Sequence, residues 1–129
     1  MTAKPGKGHR VLVVGCEPAL VKFFAVFLKI FGYQVNIATS FPEALRKAQK
    51  HPPDTLLVMT LMPDMSGIEI GMRIFHQSRC SVLFVTTTMD VQAFTDTLEW
   101  VREQGCKCMV LPLPFENSDL ISKVQSLAA

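Results

Sequence analysis

Residues 10–15 read RVLVVG, and a helical pattern follows them from Glu17 to Phe31. The first run is apolar almost throughout, which is typical of a strand that is covered on both faces of a sheet. In the second run apolar residues recur at helical spacing, Pro18 suits the first turn, and Gly32 suits the residue after the last turn. A buried strand that leads directly into a helix is the repeating unit of α/β proteins.

The same alternation of strand and helix continues along the chain. Four more strands are predicted, at Gln34 to Ala38, Thr55 to Met59, Ser81 to Thr86 and Met109 to Leu111. Four more helices are predicted, from a capping box at Ser40 to about Lys50, from about Ile68 to Gln77, from Val91 to Gln104 and from Ser118 to Leu127. This order predicts one α/β domain over residues 10–129, after a tail at residues 1–9, with a parallel sheet covered by helices on both faces.

Length, charge and hydropathy argue against several classes of protein. The chain has 129 residues, 49% of them hydrophobic and 19% charged, which suits one well-packed domain. The formal net charge of +2 is too small to indicate a nucleic-acid partner. The longest apolar candidate, Ala19 to Phe31, is interrupted by Lys22 and Lys29 and is shorter than the ~18 residues that a membrane span needs. Because no secretory signal is present either, we expect a cytoplasmic protein without membrane contact.

The four cysteines do not form a metal or redox motif. Cys16, Cys80, Cys106 and Cys108 include no Cys-x-x-Cys pair, and no histidine lies near Cys106 and Cys108 in the sequence. We therefore expect four reduced thiols that are mostly buried, an inert Cys16 among them, and neither a metal site nor a cofactor.

The chain resembles the receiver domain of bacterial two-component response regulators over most of its length, from about Arg10 to Leu127. The similarity lies in short segments whose order and spacing match that family: Val11 to Val14 with Glu17-Pro18, Gly32 to Val35, Glu43 to Leu45, Pro53-Asp54, Met62 to Gly67, Pro114-Phe115, Asp119-Leu120 and Val124. The resemblance implies a flavodoxin-like (βα)5 three-layer sandwich with strand order 2-1-3-4-5. It also implies a cis peptide bond between Leu113 and Pro114.

The residues that carry phosphorylation in that family are absent from the matching positions. The family uses a carboxylate at the end of the third strand, two Mg²⁺-binding acids after the first and a lysine after the fifth. The matching positions hold Met59, Gly15 with Cys16, and Leu113, while Thr86 keeps the switch hydroxyl. Methionine has no oxygen nucleophile, and glycine offers no ligand atom. We therefore predict a degenerate phosphorylation pocket in a protein that is not an enzyme.

Because this pocket is predicted not to be phosphorylated, we expect the functional surface to lie on the outer faces of the helices. The first helix is predicted to bury Leu20, Phe23, Phe24, Phe27, Leu28 and Phe31. Its outer face would then show Val21, Ala25, Val26 and Ile30, either as a partner contact or under extra cover from the tail. Trp100 lies roughly 140° from the inward stripe of the fourth helix. A tryptophan that lies flat on its own domain is the slightly preferred interpretation, and the resemblance implies the alternative, a contribution to the face that mediates dimerisation or output in that family.

Since no output domain is seen in the sequence, we expect a stand-alone atypical receiver that binds a protein partner without being phosphorylated. The candidate partners are a histidine kinase, a phosphotransfer protein and a second copy of the chain. Three alternatives remain open. They are a phosphorelay component with a non-standard acceptor such as Thr60 or Ser66, a thiol sensor that uses Cys16 or the Cys106/Cys108 pair, and a nucleotide- or flavin-binding domain. The last lacks a glycine-rich loop after its first strand.

Overall fold

The computed structural model describes residues 8–59, 66–86, 91–113 and 115–128, with the backbone alone at residues 91–93. Strands and helices alternate along the chain as the sequence predicts. They are β1 (Arg10–Val14), α1 (Pro18–Ile30), β2 (Gln34–Ala38), α2 (Phe41–Lys50), β3 (Thr55–Met59), α3 (Gly67–Ser78), β4 (Ser81–Thr86), α4 (Val91–Glu103), β5 (Cys108–Pro112) and α5 (Asn117–Ala128).

The strands form one parallel sheet in the order β2-β1-β3-β4-β5, which confirms the predicted topology. The register pairs Val14 with Val58 and Met59 with Val85, so that the strands end almost level with one another. Because all strands run the same way, their carboxyl ends meet at one edge of the sheet. In doubly wound sheets this edge is where ligands bind.

Two apolar clusters lie on opposite faces of the sheet, each between the sheet and a layer of helices. One face is covered by α1 and α5, whose buried side chains include Phe24, Leu28 and Leu120. The other face is covered by α2, α3 and α4, with Ile70 and Leu98 among the buried residues. The protein is therefore a three-layer α/β/α sandwich, as predicted. Among the described residues, none of the helices combines the length and the hydropathy that a transmembrane span requires.

Helix starts follow the capping chemistry of the sequence. The Ser40 hydroxyl accepts a hydrogen bond from the Glu43 backbone N–H at 3.3 Å, and this confirms the predicted capping box. The Glu43 carboxylate reaches back to the backbone N–H of Thr39 at 2.7 Å, one residue earlier than in the usual box. A second N-cap, which the sequence analysis did not single out, begins α3, where the Ser66 hydroxyl accepts from the Glu69 N–H at 3.2 Å.

The predicted outer face of α1 is partly wrong. Val21 and Ala25 are buried, with 1% and 5% exposure, whereas Phe23, predicted to be buried, is 41% exposed. Val26 and Ile30 are exposed as predicted, at 54% and 65%. The buried stripe consists of positions 21, 24, 25 and 28. That i, i+3, i+4, i+7 spacing is narrower than the arc of phenylalanines on which the prediction relied.

Candidate functional site

The carboxyl edge of the central strands brings Gly15 and Met59 together. Gly15 follows β1 directly, and Met59 is the last residue of β3. Since Val14 pairs with Val58 in the parallel register, the next residue on each strand lies beside the other. The backbone N–H of Gly15 donates to the carbonyl of Ala38 at 3.1 Å, which also fastens this edge to β2.

The methionine side chain fills the space that a side chain on Gly15 would need. A Cβ atom placed on Gly15 would lie 2.7 Å from Sδ and 2.9 Å from Cε of Met59, and 2.8 Å from Cγ2 of Val21. Met59 itself is 7% exposed and belongs to the apolar cluster beneath α1 and α5. Val21, predicted to face a partner, is instead a wall of this site, because α1 turns it towards the sheet edge.

Leu113 and Thr86 close the site from the β4 and β5 side. The backbone N–H of Leu113 donates to the Thr86 carbonyl at 2.8 Å, which ties the end of β5 to the end of β4. The partly buried Leu113 side chain packs against the same cluster as Met59. Thr86 is 4% exposed, so its hydroxyl lies inside the protein. The predicted bond between Leu113 and Pro114 involves a residue outside the described ranges.

Cys16 is exposed, so its predicted burial is wrong. It lies after β1 has ended, in the short segment before α1 begins at Pro18. The three remaining cysteines are buried as predicted. Burial raises the pKa of Cys80 and Cys106 to about 12, and it also raises the pKa of Cys108. These buried thiols stay protonated near neutral pH and are poor nucleophiles.

The predicted pocket residues offer no hard oxygen ligand beyond one hydroxyl. Gly15, Cys16, Met59, Thr86 and Leu113 supply a thioether, a thiol, a hydroxyl and methyl groups, and none of them carries a carboxylate. Mg²⁺ prefers several hard oxygen ligands, so this set does not fit the metal that the family uses. Within residues 8–59, 66–86, 91–113 and 115–128 there is no cluster of three or more His, Cys, Asp or Glu side chains that would hold a metal ion.

The two hydroxyls considered as alternative acceptors have different positions in the chain. Ser66 is described, and its Oγ accepts the Glu69 N–H as the cap of α3. A phosphoryl group on Ser66 would be attached to the same oxygen that accepts this capping hydrogen bond. Thr60 lies outside the described residues.

The helix surfaces carry exposed apolar side chains that the sequence analysis found only in part. On α1 these are Phe23, Val26 and Ile30, and on α4 the indole of Trp100 is 50% exposed, as its helical position predicts. The exposure of Phe23 was missed. The sequence pattern alone does not single out the stripe of Val21, Phe24, Ala25 and Leu28, because apolar residues surround most of this helix.

The chain matches the family model of the response regulator receiver domain over residues 11–124. The transcriptional regulatory protein TrcR of Mycobacterium tuberculosis is 38% identical over 122 residues, which cover 95% of this chain and 46% of TrcR. KdpE of the same species, also named a transcriptional regulatory protein, is 42% identical over 60 residues, which cover 46% of this chain and 26% of KdpE. The chain thus spans less than half the length of these relatives. The solved chemotaxis protein CheY4 of Vibrio cholerae is 27% identical, with a TM-score of 0.81 over 92% of this chain and 98% of CheY4.

Proposed function

The chain belongs to the response regulator receiver domain family of two-component signalling, and from this premise we propose that it is an atypical receiver that works as a protein–protein interaction module without being phosphorylated. The observation that carries the proposal is the packing of Met59 over Gly15. At the edge where receivers gather charged groups, this chain places a buried thioether against a backbone without a side chain.

The proposal assigns Met59 to the phosphoacceptor position and Gly15 with Cys16 to the two metal-binding positions. A thioether cannot form an acyl phosphate, because it has no oxygen to attack phosphorus. An acid at position 15 would have to displace Met59 and Val21, which lie within 3 Å of its Cβ. The two differences from the family therefore support each other, since the methionine occupies the volume that the acid would need.

Leu113 fits the same account at the position of the family lysine. A lysine there, against the apolar cluster that includes Met59 and without acids, would be a poorly compensated charge, and that is costly. Leucine joins the cluster instead. The pocket is thus proposed to be a continuous part of the core in which no charged partner of a phosphoryl group remains among these positions.

The thiol alternative receives less support than the interaction role. Cys106 and Cys108 are buried, and the raised pKa of each disfavours the reactive thiolate at neutral pH. Cys16 is accessible but has no second cysteine beside it in the sequence. We propose a protein partner (a kinase, a phosphotransfer protein or a second copy of the chain) and a cytoplasmic setting without nucleic-acid contact.

Incubation with acetyl phosphate and Mg²⁺, followed by intact-mass spectrometry, tests the proposal. We expect no mass increase of one phosphoryl group in the wild-type chain, while a receiver with the full acidic pocket is labelled in parallel. A stoichiometric, Mg²⁺-dependent increase would contradict the proposal. If the increase disappeared in a Ser66→Ala variant, the acceptor would be Ser66 and the alternative phosphorelay function would replace ours.

A further inference from the structure

The outer face of α1 carries an apolar centre between two positive charges. Val26 and Ile30 are the most exposed large apolar side chains of the helix, and Phe23 lies beside them. Lys22 precedes Val26 by four residues and Lys29 follows it by three, and both lysines are exposed. Residues at these spacings share one side of a helix. We call these five residues the α1 face.

The outer face of α4 has the same arrangement with the opposite charge. Trp100 is 50% exposed, with Asp96 four residues before it and Glu103 three residues after it, both exposed. Arg102, whose guanidinium donates to the Cys108 carbonyl at 3.2 Å, is also exposed on this helix, but its single positive charge offsets at most one of the two carboxylates. We call Trp100, Asp96 and Glu103 the α4 face.

The two faces are complementary in charge, spacing and apolar content. In each helix the charged residues are seven positions apart, about 10 Å, with the apolar centre between them. If two such helices pack face to face, each lysine meets an acid whether the helices run parallel or antiparallel. In the described parts of the chain, neither Lys22 nor Lys29 is in an ion pair within 4.0 Å.

We propose that the α4 face of one copy of this chain docks on the α1 face of a second copy. The inference rests on the proposed function, to which it adds the identity of the partner. Trp100 is the anchor that covers Val26 and Ile30, since buried tryptophans dominate the energetics of interfaces. The charge pairs at the rim set orientation and specificity more than affinity.

The fold determines what kind of assembly this contact makes. The α1 face lies over one side of the sheet, and the α4 face lies over the other. One copy therefore presents a donor surface and an acceptor surface in different directions. Such a contact is heterologous, and it repeats into a ring or an open chain rather than closing as a twofold dimer.

Charge reversal and complementation test the contact by sedimentation velocity on the untreated full chain. The α1 variant carries Lys22→Glu and Lys29→Glu, and the α4 variant carries Asp96→Lys and Glu103→Lys. We expect the wild type to assemble with rising concentration between about 10 µM and 1 mM, and each variant alone to associate at least about tenfold more weakly. An equimolar mixture of the two variants, and one chain with all four substitutions, should assemble again.

A matched control changes the same amount of charge on another helix. An Arg46→Glu and Lys50→Glu variant alters two exposed residues of α2 and should assemble like the wild type. A wild-type chain that stays monomeric, variants that assemble unchanged, or a mixture that stays monomeric would each overturn the contact. None of these results bears on the acetyl phosphate reaction, so a failure here is distinguishable from a failure of the proposed function.

Discussion

Gly15 and Met59 share one volume at the end of the central strands. A Cβ atom on the glycine would lie 2.7 Å from the methionine Sδ, well inside the contact distance of two such atoms. The second obstacle, Cγ2 of Val21 at 2.8 Å, belongs to a β-branched side chain with little rotameric freedom. The absence of a side chain at position 15 is therefore a packing requirement of the methionine, and this gives the first prediction.

We predict that Gly15→Ala destabilises the protein by about 1–3 kcal/mol, because the added methyl group overpacks the site. Met59→Ala alone should cost about 2–5 kcal/mol through the cavity that it leaves. The double variant should lose less than the sum, since Met59→Ala removes two of the three close contacts of the new methyl group, leaving Val21, and that methyl group fills part of the cavity. Urea unfolding measures all three. The control pairs Gly15→Ala with Met72→Ala, an equally buried methionine across the sheet, and those costs should add.

A second prediction concerns accessible thiols. A thiol reagent at neutral pH should modify one cysteine per chain quickly and three only on unfolding, because Cys16 is exposed and the others are buried. Burial also raises the pKa of Cys80 and Cys106 to about 12, which slows their reaction further. Cys16→Ser should remove the fast phase and leave the slow phase unchanged. A fast reaction at Cys106 or Cys108 would revive the thiol-sensor alternative.

The amino-terminal end of the sheet holds a chain of hydrogen bonds. The Ser81 hydroxyl lies 2.9 Å from the hydroxyl of Thr55 and 3.3 Å from the Asp54 carbonyl, to which it donates. Thr55 is fully buried, and its hydroxyl also lies 2.8 Å from Nε2 of His9. We predict that Thr55→Val costs about 1–3 kcal/mol, because the Ser81 hydroxyl and the His9 ring each lose a hydrogen-bond partner. Thr55→Ser keeps the hydroxyl and should cost less in the same unfolding assay.

The same histidine predicts how stability depends on pH. Burial lowers the pKa of His9 below its usual 6.5, and the carboxylate of Asp54 opposes this shift in part. The unfolded chain therefore takes up the proton first as the pH falls below about 6.5, and the free energy of unfolding should decrease there. His9→Gln should reduce this decrease. A decrease in the His9→Gln variant as large as that in the wild type would contradict the assignment.

Most of the fold follows from the sequence, because local signals agree with each other. Continuous apolar runs, proline and glycine at helix ends and the Ser40 cap place the elements close to where the structure has them. The faces of α1 were harder to predict, since its apolar residues surround most of the helix and periodicity alone does not select one stripe. For this reason Val21 was predicted to be exposed and Phe23 to be buried, whereas the structure has Val21 buried and Phe23 exposed.

The individual pocket residues were predictable, but their contact was not. A sequence shows that Gly15 and Met59 are uncharged, whereas their shared volume depends on the parallel register of β1 and β3. The exposure of Cys16 depends likewise on how the chain leaves that edge. The charge patterns of α1 and α4 are visible in the sequence. The sequence does not show that the two helices lie on opposite faces of the sheet, and this placement determines what kind of contact they can make.

We propose that this sheet edge accepts neither a phosphoryl group nor Mg²⁺. A titration with Mg²⁺ and beryllofluoride, followed by two-dimensional amide NMR, decides between this proposal and a working pocket. We predict that the signals of Gly15, Met59, Thr86 and Leu113 do not shift in the wild-type chain. A variant that combines Gly15→Asp, Cys16→Asp, Met59→Asp and Leu113→Lys shows whether a restored pocket responds under the same conditions. Saturable, Mg²⁺-dependent shifts of those four signals in the wild-type chain would contradict the account.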